Sequence, residues 1–108
     1  MIDDDGSPAI FPGPSVPDGA VSKELLIVNK RGLHARASAK FVQTVERFSA
    51  EVWVTRGGET VGGTSIMGLM MLSAGPGTSI TVEARGTQAA EVMQALQGLV
   101  ASRFGEGD

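Results

Sequence analysis

Short β-prone apolar runs alternate along this chain with segments whose apolar residues recur every three or four positions, and this order restricts the possible folds. The short runs indicate strands, whereas the wider spacing places apolar side chains along one stripe of a helix. The predicted elements are, in order, a strand within 22–30, a helix from 35 to 48, a hairpin within 50–63, a short helix within 64–72, a strand at 79–86 and a helix within 87–104.

The connections between these elements further restrict the possible folds. The hairpin is predicted to turn at Gly57 and Gly58, and Thr87 is a candidate N-cap for the last helix. With so few strands, the economical packing lays the helices over one face of an antiparallel sheet and leaves the other face partly open to water. We therefore predict an α+β fold in the order β-α-β-β-α-β-α, with a four-stranded antiparallel sheet and three helices on one face.

Composition divides the 108 residues into three parts. Residues 1–22 contain four of the five prolines and four aspartates but no basic residue, so we predict a disordered Pro/Asp-rich tail with a charge of −4. Residues 23–104 hold all nine basic residues against six glutamates, a net charge of +3, and are predicted to form one small domain. Residues 105–108, which include Glu106, are expected to be a flexible C-terminus.

Several functional classes are excluded by composition. The chain has no cysteine, so neither a disulfide framework nor a thiolate metal site can form. It has no apolar run long enough to cross a membrane, and its N-terminus lacks the basic and apolar segments of a signal peptide. We therefore expect a cytoplasmic protein without a membrane segment.

The only histidine, His34, stands where the first helix is predicted to begin, in a stretch from 29 to 41 that contains no acidic residue. This local excess of positive charge favours an anionic ligand or an acidic partner surface, although a solvated basic face is the simpler alternative. The basic residues that surround the histidine are Lys30, Arg31, Arg36 and Lys40.

The position of His34 suggests phosphoryl chemistry. The first amides of a helix lack intrahelical partners and carry partial positive charge, so the backbone amides of Arg36 and Ala37 could bind a phosphate. The same charge favours a neutral imidazole, which has a nucleophilic nitrogen, and the Arg36 guanidinium could clamp the oxygens of an attached phosphoryl group. Ser38 would instead cap these amides if the helix began later.

Other interpretations of this histidine remain open on position alone. A lone histidine in a turn flanked by glycine is more often simply solvated. A metal site is disfavoured because the chain has no second histidine and no cysteine, and no segment resembles the nucleophile elbow of a serine hydrolase.

Two segments resemble a known family. "GLHARASAKF" resembles the phosphorylation-site motif of HPr, the histidine-containing phosphocarriers of the bacterial phosphoenolpyruvate-dependent phosphotransferase system. "TSIMGLMML" resembles the second family signature, around a regulatory serine. The resemblance extends over residues 23–104 and implies the open-faced β-sandwich of that family.

The resemblance also implies roles for individual residues. His34 would carry the phosphoryl group on its Nδ1 atom, with Arg36 as the assisting arginine. Ser65 matches the serine that an HPr kinase/phosphorylase modifies in some bacteria. The residues at the positions where family members dock their partners are Ile66, Met67 and Met70, whereas Leu69 and Leu72 are expected in the core.

The implied partners are enzyme I as phosphoryl donor and an enzyme IIA-type domain as acceptor, in either the sugar or the nitrogen-related branch of the system. The resemblance implies a monomer that needs no cofactor, metal, nucleic acid or membrane. The chain departs from the family motif at Ala37, where the family has proline immediately after the arginine. Alanine retains an N–H group that proline lacks, and it thereby adds one donor to the anion site.

Two other functions are alternatives to the carrier. The first is a regulatory binding module in which phosphorylation of Ser65 controls association with another protein and transfer by His34 is secondary. The second is an RNA-binding sheet with a similar order of elements, which is disfavoured because the chain has no tyrosine and its aromatic residues form no stacking pattern.

Overall fold

A computed structural model describes residues 20–106 and confirms the predicted order of elements. Among these residues, no helix is both long enough and apolar enough to cross a membrane. The strands are β1 (Val21–Leu26), β2 (Glu51–Arg56), β3 (Glu59–Gly62) and β4 (Ser79–Arg85), the helices are α1 (Ala35–Val45), α2 (Ile66–Met71) and α3 (Ala89–Ala101), and a short 3-10 turn follows at Arg103–Gly105.

The four strands form one antiparallel sheet in the order β1-β4-β2-β3. The hairpin between β2 and β3 turns at Gly57 and Gly58, as predicted, with φ angles of +60° and +85°. Two successive left-handed residues match the twist of a tight hairpin, and glycine adopts this conformation without a Cβ penalty.

The core lies between the three helices and one face of the sheet. Strand β4 shows the alternation clearly, because Ile80, Val82 and Ala84 are fully buried while the residues between them are partly exposed. Phe41 of α1 and Leu96 of α3 are also fully buried, as expected for apolar stripes that face a sheet. The open-faced α+β sandwich is therefore confirmed.

Several predicted boundaries need correction. Strand β1 begins at Val21, one residue before the segment in which it is predicted, and α1 ends at Val45, which leaves Phe48 beyond the helix but packed against the core. Thr87 does not cap α3: the N-cap position is Gln88, which makes no side-chain capping bond, and the Thr87 hydroxyl contacts the Ser49 carbonyl at 3.4 Å. Most of the predicted disordered tail, residues 1–19, lies outside the described residues.

Candidate functional site

His34 occupies the N-cap position of α1, as the sequence predicts, with extended backbone angles of φ −75° and ψ −178°. The Ser38 amide donates to the His34 carbonyl oxygen at 2.8 Å, which is the first hydrogen bond of the helix. The amides of residues 35–37 therefore precede the first intrahelical bond, and the His34 side chain makes no capping bond to them. This helix end is suited to receive an anion.

A tight turn fixes the chain just before His34. Gly32 has φ +61°, and its missing Cβ would lie 2.1 Å from the Ala74 carbonyl oxygen. The Leu33 amide donates to that same oxygen at 2.9 Å, which ties the turn to the loop after α2. Only glycine satisfies both the backbone angle and the close approach, so the position of His34 depends on Gly32.

The imidazole of His34 contacts the carboxylate of Glu106, with Nε2 facing Oε2. Both side chains are mostly buried, at 21% and 11% exposed for histidine and glutamate respectively. The other carboxylate oxygen, Oε1, accepts from Asn29 Nδ2 at 3.2 Å. Asn29 is fully buried, and its Nδ2 also donates to the Gly32 carbonyl oxygen at 2.9 Å. The histidine turn and the C-terminal segment are thus linked by side chains.

Glu106 directly follows the 3-10 turn at Arg103–Gly105, in the segment that the sequence predicts to be flexible. Arg103 and Phe104 have φ angles of +60° and +56°, a conformation that costs a non-glycine residue about 1–2 kcal/mol. Burial of the whole Phe104 side chain offsets this cost. The Lys40 ammonium of α1 donates to the Phe104 carbonyl oxygen at 2.6 Å and holds the turn against the helix.

Glu106 was not predicted as a site residue. Two signals in the sequence could have indicated it: the acid-free basic stretch around His34, which favours an acidic surface, and Phe104 as an apolar anchor two residues before the glutamate.

The residues predicted to hold a phosphate lie on the first turn of α1. The Arg36 side chain is exposed, whereas Ala37 is fully buried and offers only its backbone amide. Ser38 is not a rival cap, because the helix begins at Ala35 and the buried Ser38 hydroxyl donates to the Leu33 carbonyl oxygen.

Ser65 lies at the N-cap of α2, where its Oγ accepts from the Gly68 amide at 2.9 Å. Helix α2 packs against α1, the helix that begins after His34. The predicted division of this segment is confirmed: Leu69 and Leu72 are in the core. The exposed side chains, with their exposed fractions, are Ile66 (40%), Met67 (70%), Met70 (39%) and Met71 (66%).

This geometry can support attachment of an anionic group to a ring nitrogen. A mostly buried imidazole precedes a helix whose first amides are not used within the helix, and an exposed guanidinium stands two residues further on. Preorganised amides and a guanidinium stabilise phosphoryl oxygens because they match their charge and geometry.

Comparison with known proteins gives a consistent result. Residues 21–102 match the family model described as the PTS HPr component phosphorylation site. The phosphocarrier protein HPr of Neisseria meningitidis is 52% identical over 88 residues, which cover 82% of this chain and 99% of that protein, and the HPr of Cupriavidus necator is 48% identical with the same coverage. The structure of HPr-C-His from Thermoanaerobacter tengcongensis is 40% identical, with a TM-score of 0.77 over 82% of this chain and 99% of that one. The chain therefore belongs to the HPr family of phosphocarrier proteins of the phosphotransferase system.

Proposed function

We propose that His34 is the phosphoryl acceptor of this carrier, taking the group from phosphorylated enzyme I onto Nδ1 and passing it to an enzyme IIA-type domain. The observation that supports this most directly is the position of the imidazole at a helix N-terminus whose amides precede the first intrahelical bond. Such an end stabilises the negative charge that arrives with the phosphoryl group.

Arg36 and the adjacent backbone are assigned the role of holding the phosphoryl oxygens. The exposed guanidinium can reach an incoming group without first being desolvated, and it can bind two oxygens at once. The amides of Arg36 and Ala37 supply additional donors, and Ala37 provides the N–H group that a proline at this position would lack.

The test of the proposed function is transfer from labelled phosphoenolpyruvate. The protein is incubated with enzyme I and the label, and then with enzyme IIA-type acceptors from the sugar and nitrogen-related branches in separate reactions. We expect one label per chain, stable in alkali and lost in acid, which then moves to the acceptor of the branch that the protein serves. Incorporation without enzyme I, or a label on an acid-stable hydroxyl ester alone, would contradict the proposal.

The exposed face of α2 is proposed as the docking surface for these partners, formed by Ile66, Met67 and Met70. Flexible thioether side chains adapt to partners of different shape, which suits a carrier that must bind both a donor and an acceptor. An exposed apolar surface of this kind is also typical of interaction sites.

Met67→Asp and Met70→Asp are expected to weaken binding to enzyme I by about tenfold or more, because a charge must be desolvated when the surface is covered. The domain should still fold, since both side chains are exposed. Binding is measured by titration calorimetry and folding by circular dichroism. Leu26→Asp, at a 54% exposed leucine of β1, is the matched control and should bind normally. Unfolding of the methionine variants, or an equal loss in the control, would reject this surface.

Ser65 is proposed as a regulatory phosphorylation site for an HPr kinase/phosphorylase. Added negative charge at this cap would alter the face that partners must desolvate and would repel acidic partner surfaces. We expect Ser65→Asp to fold normally and to slow charging of His34 by enzyme I.

Two further variants separate charge from capping at this position. Ser65→Ala should lose about 1 kcal/mol of stability with the cap bond but accept phosphoryl groups at the parent rate. Ser65→Asn retains a capping oxygen without charge and should also transfer at the parent rate. Equal rates for the Asp and Asn variants would limit Ser65 to its capping role, a result to be checked with the phosphorylated protein itself.

The similar proteins from Neisseria meningitidis and Cupriavidus necator are phosphocarrier proteins, which favours the carrier function over the regulatory binding module. We further propose that the carrier acts as a monomer in the cytoplasm, where its donor obtains phosphoenolpyruvate. Sedimentation at micromolar concentration tests the monomer directly.

A further inference from the structure

The two oxygens of the Glu106 carboxylate have different partners, and the contact with His34 determines which atom of the pair donates the proton. Oε1 accepts a hydrogen bond from Asn29, and Oε2 faces Nε2 of His34. An ionised carboxylate can only accept hydrogen bonds, so the histidine must be the donor in this pair. When the ring is neutral, its single proton is therefore on Nε2, and the lone pair is on Nδ1.

The orientation of this carboxylate is fixed from two sides. The Asn29 carboxamide is fully buried, and its Nδ2 faces two oxygen acceptors, the Gly32 carbonyl and the Glu106 carboxylate. This arrangement sets the direction of the amide, because the amide oxygen could not donate to either of them. Asn29 thus holds the glutamate against the turn that positions the histidine.

The backbone before Glu106 is also constrained. Three successive residues, Arg103, Phe104 and Gly105, have positive φ angles of +60°, +56° and +73°. The buried Phe104 ring and the hydrogen bond from Lys40 stabilise this backbone conformation. Strained backbone persists only where the surrounding structure fixes it, and it occurs often at functional sites. The strained turn aims the carboxylate at the imidazole.

We infer that Glu106 is a positioning residue for phosphoryl transfer, which keeps the proton on Nε2 of His34 and presents Nδ1 as the nucleophile. This inference rests on the proposed role of His34 as the acceptor. Glu106 lies outside both sequence motifs and would select Nδ1 over Nε2 as the reacting nitrogen.

No proton moves to or from the imidazole ring during the transfer step. The Nδ1 lone pair forms the new N–P bond, while the bond between phosphorus and the leaving atom of the donor breaks and its electron pair stays with the donor. The ring retains its Nε2 proton and becomes positively charged, and the adjacent carboxylate stabilises this charge. When the acceptor attacks phosphorus, the N–P electron pair returns to Nδ1, and the ring is neutral again.

The test combines rates with a spectroscopic signature, using Glu106→Gln and Glu106→Ala in the full-length protein. Glutamine retains a carbonyl that can accept from Nε2 but removes the charge, whereas alanine removes both. We expect charging by enzyme I to slow by about tenfold in Glu106→Ala and by less in Glu106→Gln, by analogy with carboxylates that orient a metal-binding histidine. Glu59→Ala, at an exposed glutamate of β3, is the charge-matched control and should charge at the parent rate.

Nitrogen-15 spectra of labelled His34 at a fixed, mildly alkaline pH report the ring directly. In the parent protein we expect a protonated Nε2 with its hydrogen in slow exchange, both before and after phosphorylation. Glu106→Ala should lose the slow exchange, and its phosphorylated form should lose the Nε2 proton, whereas Glu106→Gln should keep the slow exchange in the uncharged protein.

Three outcomes distinguish a failure of this inference from a failure of the proposed function. If the parent protein takes up no label on His34, the proposed function fails. If the parent is charged normally but both Glu106 variants match it in rate and in the His34 spectrum, then only the role of Glu106 is refuted. Slower charging with an unchanged His34 spectrum would also refute it, because a purely structural effect would explain the rate.

Discussion

His34→Ala is expected to abolish phosphoryl uptake from enzyme I, to the level seen without enzyme I. The methyl group of alanine has no lone pair that can attack phosphorus, so the variant lacks the proposed nucleophile. Uptake is measured as alkali-stable label per chain after complete reaction of the parent protein. Label on the alanine variant at the parent level would assign the acceptor to another residue.

Folding must be separated from chemistry in this experiment. The alanine variant leaves the mostly buried Glu106 carboxylate without its histidine partner, which should cost about 1–3 kcal/mol of stability. His34→Gln is the matched control, since its side-chain amide can still donate to Glu106 but cannot carry the phosphoryl group. We expect His34→Gln to be more stable than His34→Ala in urea unfolding and equally inactive.

Gly32→Ala is expected to have the largest effect on stability, a loss of about 2–5 kcal/mol in the free energy of unfolding. The left-handed backbone at φ +61° contributes about 1–2 kcal/mol, and a Cβ placed 2.1 Å from the Ala74 carbonyl oxygen forces the two loops apart at an additional cost of about 1–3 kcal/mol. Urea denaturation of parent and variant measures the difference.

Gly57→Ala provides the control that isolates the collision. Its φ of +60° is nearly the same as that of Gly32, but no atom beyond its two chain neighbours lies within 4 Å of the added Cβ in the part of the chain that the structure describes. We expect this variant to lose only the backbone contribution, about 1–2 kcal/mol, and to accept phosphoryl groups normally. Equal losses at the two positions would show that the loop after α2 yields to the methyl group and does not hold the histidine turn.

The sequence predicts those parts of the fold that follow from local periodicity. Strand β4 buries Ile80, Val82 and Ala84 on one face, and α1 buries the stripe that includes Phe41. Both patterns can be recognised in the sequence because each element buries only one face. The Gly57-Gly58 turn and the N-terminal position of His34 are predictable for the same reason, since their determinants are adjacent residues. Thr87 is a wrong prediction because the chain there makes contacts with Ser49, which lies far away in sequence and competes with the local cap.

Only those residues of the site that lie close together in sequence can be predicted. His34, Arg36 and the free amides lie within three residues, and motif and helix physics identify them together. Glu106 lies 72 residues from His34, and the two meet only because Phe104 turns the end of the chain into the core instead of extending α3. Spacing along the chain carries no information about such a contact, and the polar residues 105–108 alone predict a flexible segment.

If Glu106 positions the ring proton of His34, as we infer, the reactivity of the carrier is sensitive to local fraying of the turn at Arg103–Gly105. Local opening of this turn would withdraw the carboxylate while leaving His34 on its helix. A frayed molecule would keep the domain fold and the anion-binding amides but lose control of the ring proton. The population of frayed molecules, which amide hydrogen exchange at Glu106 would report, should therefore set the fraction of carriers that are slow to charge at any moment.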